Sequence, residues 1–411
     1  MQDNYRQKIL AFTEAAQPVM IFILVFANPI AKSVASIASS LCIIVFLLRV
    51  GIRKGSDYQK NAKTYYTIIF FYLAALAFSV VYSPDVADGI QRFFSQTKIL
   101  LLLVLIEAVS SHVDARKYLF AGAAGGTALS LITIYESVIM HIGRPPAMWN
   151  PVHGGNHLML AAVLVMVLLV YEKGRGARVF WSTLLLLHGY ALYLNGTRGV
   201  WIAFGIVLVL LPLVVIKMRT MHKLIYYGIL ALFVTALLQA PFFQARVRGT
   251  ISDLNQSVKV RTALSYGGRY EMWKASANMF TNNPLLGVGL GGWRVELETM
   301  VRDKYVSSYV LDYNQAHSIY LDVLSTRGIV GFISFAFLIG YPVIYVWKKR
   351  TVEYEPYRTL VLIATIAFLI SGLTDTLVYI RGVFAAYLIL VALSLGVIMR
   401  DHRSADADRT P

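Results

Sequence analysis

The sequence predicts an all-α integral membrane protein of about twelve transmembrane helices with one large loop on the outer side. Three observations support this class. Hydrophobic residues make up 57% of the 411, and mean hydropathy is +0.61, too apolar for a water-soluble domain. The apolar residues fall into about twelve segments, each near the roughly 20 residues that a helix needs to cross the hydrocarbon core. Basic residues collect in alternate connections. Arg6/Lys8, Arg49/Arg53/Lys54/Lys60/Lys63, Arg116/Lys117, Lys173/Arg175/Arg178, Lys217/Arg219/Lys223, Lys348/Lys349/Arg350/Arg358 and Arg400/Arg403/Arg409 hold 22 of the 38 Lys and Arg. The short connections on the other side hold only Lys32, Arg92, Lys98, Arg144, Arg198 and Arg381. By the positive-inside rule both termini are then cytoplasmic. The net charge of +16 therefore describes membrane topology rather than nucleic-acid binding.

Taken in order, the segments are 9–28, 30–51, 65–82, 97–112, 118–140, 157–172, 179–196, 199–217, 224–243, 318–347, 359–378 and 381–399. The chain thus divides into helices over 1–243, a loop subdomain over 244–316, closing helices over 317–399 and a tail over 400–411. The first run lacks a small-residue cleavage site and is expected to stay in place as a helix. Asn28-Pro29 makes a tight outward turn, and Ser83 to Lys98 predicts a short interfacial helix. Cys42, the single cysteine, excludes an intramolecular disulfide and a cysteine metal cluster.

The outward stretch from His141 to His157 brings two histidines, His153 and His157, four residues apart. Glycines between them and the lack of an adjacent third ligand favour a cap or a polar cleft over a metal site. Glu136 fits either a functional buried acid or the partner of an arginine across the bundle. His188, among leucines, fits a packed bundle histidine. Asn195-Gly-Thr-Arg198-Gly forms a turn tight enough to hold Arg198 at the outer bilayer surface, where it either snorkels to lipid phosphate or binds an anionic ligand.

The long segment 244–316 is basic, with Arg246, Arg248, Lys259, Arg261, Arg269, Lys274, Arg294, Arg302 and Lys304, which suits either a solvated surface or a funnel for a phosphorylated substrate. Gly267-Gly268-Arg269 leads into an amphipathic helix, Tyr270 to Phe280, with Trp273, Ala277 and Phe280 on one face. Glycines 287, 289, 291 and 292 lack the strand and the Gly-Lys-Ser/Thr of a nucleotide loop, and read instead as an irregular turn that lets backbone approach a ligand.

Tyr313 to Gly331 closes this excursion and opens the next membrane helix. With Asn314 as the cap, His317 falls in the first turn at the boundary of water and lipid, where a neutral imidazole can accept a proton; a plain interfacial cap fits the same residues. Asp322, Arg327, Asp375, Tyr379 and Arg381 read as mostly structural ion pairs supporting the outer cleft.

His317-Ser318, nine residues and then Gly328-Ile-Val-Gly331 resembles the signature of the bacterial O-antigen ligase family. The Thr197-Arg198-Gly199 turn, the Gly268-Arg269-x-x-x-Trp273 helix start and Pro284-Leu-Leu-Gly-Val-Gly are similar to further landmarks of that family. The resemblance implies a GT-C-like glycosyltransferase of the bacterial inner membrane, with its site facing the periplasm. It would transfer a glycan from undecaprenyl diphosphate to the lipid A core oligosaccharide in lipopolysaccharide biosynthesis, with inversion and without metal or cofactor. His317 would be the catalytic base, and Arg198 and Arg269 would hold the diphosphate; Arg294, Trp273, Trp293 and His157 would be further substrate contacts. Polymerases and protein O-oligosaccharyltransferases of the same superfamily share these landmarks. A lipid-linked oligosaccharide transporter should instead concentrate ionisable groups at mid-bilayer and show repeated halves, neither of which is evident.

Overall fold

The computed structural model describes residues 2–52, 63–111, 114–215, 219–251 except 242, 246 and 250, 265–349 and 351–407. Arg53, Lys54, Lys60, Lys217, Arg246, Lys259, Arg261, Arg350 and Arg409 lie outside the described residues. All regular structure among the described residues is helical. In chain order the α-helices are α1 (Gln2–Ala27), α2 (Lys32–Ile52), α3 (Lys63–Val81), α4 (Val86–Gln96), α5 (Leu101–Ser111), α6 (Ala115–Ile134), α7 (Pro151–Tyr171), α8 (Arg175–Asn195), α9 (Arg198–Val214), α10 (Thr220–Gln239), α11 (Ser265–Asn282), α12 (Gly292–Arg302), α13 (Ile319–Lys348), α14 (Glu355–Ser371) and α15 (Arg381–Ala407).

The twelve apolar segments are mostly helical over their described residues, the one at 359–378 leaving the helix after Ser371, and eight helical runs among the described residues are long and apolar enough to cross a membrane. α9 and α14 have only 17 residues each. α4 does not end as a separate interfacial helix: it continues through a 3-10 turn at Thr97–Leu100 into α5, giving one run from Val86 to Ser110. That run, α7 and the Arg381–Arg400 part of α15 are 72%, 78% and 89% buried, against about a third or less for α1 to α3, so they form the centre of the bundle.

Two basic residues assigned to loops from the sequence are buried. Arg49 pairs with Glu107 at 3.0 Å and reaches the side chain of Gln17, joining α1, α2 and α5; Arg358 donates to the Val214 carbonyl at 3.1 Å. A buried cation needs such partners, because water cannot replace them.

α13 is not one continuous helix. Gly328 has φ 61° and ψ −160°, a region essentially restricted to glycine, and a side chain there would collide with the Leu285 carbonyl. The segment from Pro284 to Leu290 takes over the hydrogen bonds lost at the break. The Val288 and Gly289 N–H groups donate to the Ser325 and Thr326 carbonyls at 2.9 and 3.0 Å, and the Ile329 N–H donates to the Pro284 carbonyl at 2.8 Å. On its other side this segment meets α3, with the Leu290 N–H donating to the Ser79 carbonyl at 3.1 Å. The glycines expected to admit a ligand therefore admit another stretch of backbone.

α11, α12 and a 3-10 turn at Ser308–Asp312 share a small core around Trp293, with Met272, Ala275, Met279, Leu297 and Val310. The buried face of α11 is Met272, Ala275, Ser276 and Met279; Trp273 and Phe280 are half-buried and Ala277 is exposed.

Candidate active site

His317 lies just before α13, not within its first turn. Ser318 occupies the cap position, and the Ile319 N–H donates to the Gly372 carbonyl at 2.8 Å, so the helix start is docked on the end of α14. Asn314 is not the cap; its carbonyl accepts from Arg92 Nη2 at 2.5 Å, and Arg92 also pairs with Asp88. His317 has φ 49°, a left-handed conformation that a non-glycine residue holds only when its surroundings enforce it, at a cost of about 1–3 kcal/mol.

Those surroundings set the imidazole. Nδ1 lies 3.2 Å from Asp375 Oδ1, and the Tyr313 ring meets the imidazole edge-on at 5.5 Å. The Asp375 carboxylate is buried and also accepts from the Thr376 N–H at 2.8 Å, whereas the His317 side chain remains 23% exposed. With its proton on Nδ1 and directed at Asp375, the ring presents the Nε2 lone pair outward, as a proton acceptor requires. Asp375, read from the sequence as a structural partner, orients the histidine. Its distance of 58 residues from His317 and the lack of any motif around it hid this role; its one sequence signal is a lone carboxylate at the outer end of an apolar run.

The Arg198 turn packs beside this pair. Asn195 Nδ2 and Thr197 Oγ1 both donate to the Pro151 carbonyl at 2.9 Å, and a side chain at Gly199 would collide with Thr374, the neighbour of Asp375. Arg198 begins α9 and is half-buried. The start of the Arg269 helix lies on the Tyr313 side of His317. Gly268 faces Tyr313 so closely that a Cβ would lie 3.5 Å from its ring, which places the start of α11 one aromatic ring from His317.

The other expected contacts divide. Arg294 pairs with Glu298 at 2.8 Å and donates to the Leu311 and Tyr313 carbonyls, so it holds the segment leading to His317. Trp293 is fully buried and donates to Ser276 Oγ at 2.9 Å, within the loop core. Trp273 is half-buried, with its indole N–H unpaired among the described residues. His157 is buried and stacked on Trp149 at 5.0 Å. Glu136 accepts from the Ala147 N–H at 2.8 Å and pins the 141–150 loop. Asp322 is fully buried, within electrostatic reach of Arg92 and Arg327, next to Tyr379, whose hydroxyl is pushed above the usual phenol range by burial and by Asp322. Among the described residues no group of three or more His, Cys, Asp or Glu gathers as a metal site.

Residues 183–336 match the family described as O-antigen ligase. The O-antigen ligase match runs from within α8 to the middle of α13 and takes in Arg198, Arg269, His317, Gly328 and Gly331, the positions on which the sequence resemblance rests. It stops before Asp375. The chain is also 23% identical over 353 residues to an uncharacterized protein of Haemophilus influenzae, covering 84% of this chain and 87% of that protein. The O-antigen ligase resemblance is thus borne out over residues 183–336, in a chain with eight helices long and apolar enough to cross a membrane among its described residues.

Proposed function

We propose that this protein is an O-antigen ligase that transfers a glycan from undecaprenyl diphosphate to the lipid A core oligosaccharide at the periplasmic face of the bacterial inner membrane. One observation carries the reading: a carboxylate-oriented imidazole, partly open to solvent, lies between the Arg198 turn and the Arg269 helix. A sugar hydroxyl is a weak nucleophile at neutral pH and needs a base within hydrogen-bond reach. His317 Nε2 takes the hydroxyl proton as the oxygen attacks the anomeric carbon. The bond from that carbon to the diphosphate oxygen breaks, and the leaving group departs with its electron pair. Asp375 stabilises the imidazolium that forms, as a carboxylate behind a histidine base does elsewhere. Arg198 and Arg269 bind the diphosphate and stabilise the charge that develops on it, a task suited to guanidinium groups that never deprotonate. Attack opposite the leaving group inverts the anomeric centre, and the diphosphate bond supplies the energy, so neither nucleotide nor metal is required. Arg294 acts as a positioning residue behind Tyr313.

The test is reconstitution of purified protein with a lipid-linked glycan and a lipid A core acceptor. Glycosylated lipid A core is the expected product. Elongation of the lipid-linked glycan itself would identify a polymerase, and movement of the donor across the bilayer without a new glycosidic bond would identify a transporter.

A further inference from the structure

Of the six basic residues that the sequence places in short outward connections, three meet at one cavity. It has a volume of about 310 Å³, near the lower end of ligand pockets at roughly 300–1,000 Å³. Lys32, Lys98 and Arg381 line it together with His153, Tyr379 and Trp149, and no Asp or Glu is among its described lining residues. These cations come from different elements: the first residue of α2, the 3-10 turn before α5 and the first residue of α15. Lys98 lies close enough to Arg381 for mutual repulsion, and its ammonium donates only to the Ser39 hydroxyl among the described contacts. Like charges gathered at a membrane surface without a carboxylate are costly unless an anion joins them. The first turns of α2 and α15 line the same space and add partial positive charge there. His153 links the cavity to the reaction centre, being within electrostatic reach of both Asp375 and His317.

We infer that this cavity is a phosphate-binding subsite, separate from Arg198 and Arg269, that holds a phosphate group carried by one of the two lipid-linked saccharides while its sugar lies at His317. The inference rests on the proposed glycan transfer for the identity of the lipids, but not for the binding itself. A phosphate on the acceptor lipid supplies the group where Arg198 and Arg269 hold the whole donor diphosphate; the donor supplies it where one of its two phosphates extends beyond those arginines into the cavity.

The experiment uses full-length protein in detergent with Arg198→Ala and Arg269→Ala together, so that binding at those arginines does not mask the cavity. Inorganic pyrophosphate is titrated calorimetrically at low salt. We expect this background to retain binding, and Lys98→Gln or Arg381→Gln added to it to weaken affinity by about tenfold or more, with melting temperature unchanged. Lys32→Gln, at an exposed position, replaces Lys98→Gln if the latter does not fold. Displacement of pyrophosphate by undecaprenyl diphosphate would assign the subsite to the donor, and displacement by phosphorylated lipid A would assign it to the acceptor. Absence of pyrophosphate binding in the background protein, or unchanged affinity in the glutamine variants, overturns the subsite. Because transfer is not read out, failure of glycan transfer in the reconstituted system would leave this result intact.

Discussion

His317 Nδ1 and Asp375 Oδ1 face each other at 3.2 Å across the seam where the start of α13 docks on the turn after α14. Asp375 is therefore expected to act through the histidine. Asp375→Asn keeps the shape but removes the charge behind the imidazolium. The expected result is a fall in kcat of about 10- to 100-fold with donor KM nearly unchanged, and partial rescue by Asp375→Glu. Equal loss of donor binding and turnover would make Asp375 a structural residue only.

Removing the base should cost more. His317→Ala is expected to lower the transfer rate by about two to four orders of magnitude. Because His317 holds φ 49°, His317→Gly relieves backbone strain and should be at least as stable as the wild-type protein while remaining inactive. Near-normal transfer by a well-expressed variant of either kind would remove His317 from the mechanism.

Arg198 and Arg269 are predicted to act on the donor. Lysine retains the charge but loses the planar fork, so Arg198→Lys and Arg269→Lys should each weaken donor binding by about tenfold or more while acceptor binding holds. Separate binding measurements for the two substrates decide this, and a selective loss of acceptor binding would exchange the roles.

Gly328→Ala puts a side chain where the backbone tolerates none. Destabilisation of about 3 kcal/mol or more is expected, read as a lower thermal midpoint or as failure to accumulate. A variant with wild-type melting would show that α13 can run straight.

Transfer should withstand chelation, since paired arginines can do the work of a divalent cation on a diphosphate. Activity lost to EDTA and restored by magnesium or manganese would call for a metal near Asp312 or the His153/His157 loop.

The helices were legible in the sequence because membrane segments announce themselves by length and hydropathy, and the apolar runs are mostly helical over their described residues. Within the site, His317, Arg198 and Arg269 could be picked out because each stands in a short, unusual local pattern. Their relation to one another could not. Asp375 reaches His317 only through docking of two helix ends, and the left-handed turn at His317 displaced the cap assigned to Asn314. Arg49 and Arg358 show the reverse error. Charge near a helix end reads as loop, yet both side chains turn inward to polar partners that are distant in sequence. Arg294 and Trp293 stood out by residue type, and the fold uses them to build and fasten the loop subdomain.

The segment from Pro284 to Leu290 is wedged between the broken turn of α13 and the end of α3, bonded to both by main-chain groups. Main-chain bonding of this kind fixes relative position whatever the side chains are, so the outer subdomain is riveted to the bundle at its middle as well as joined at its ends. A chimera that imports the loop of a related protein must therefore import the matching break in α13 and the end of α3 as one unit. A graft of the loop alone would leave the seam open and carry Arg269 away from His317, even with every side chain of the reaction centre in place.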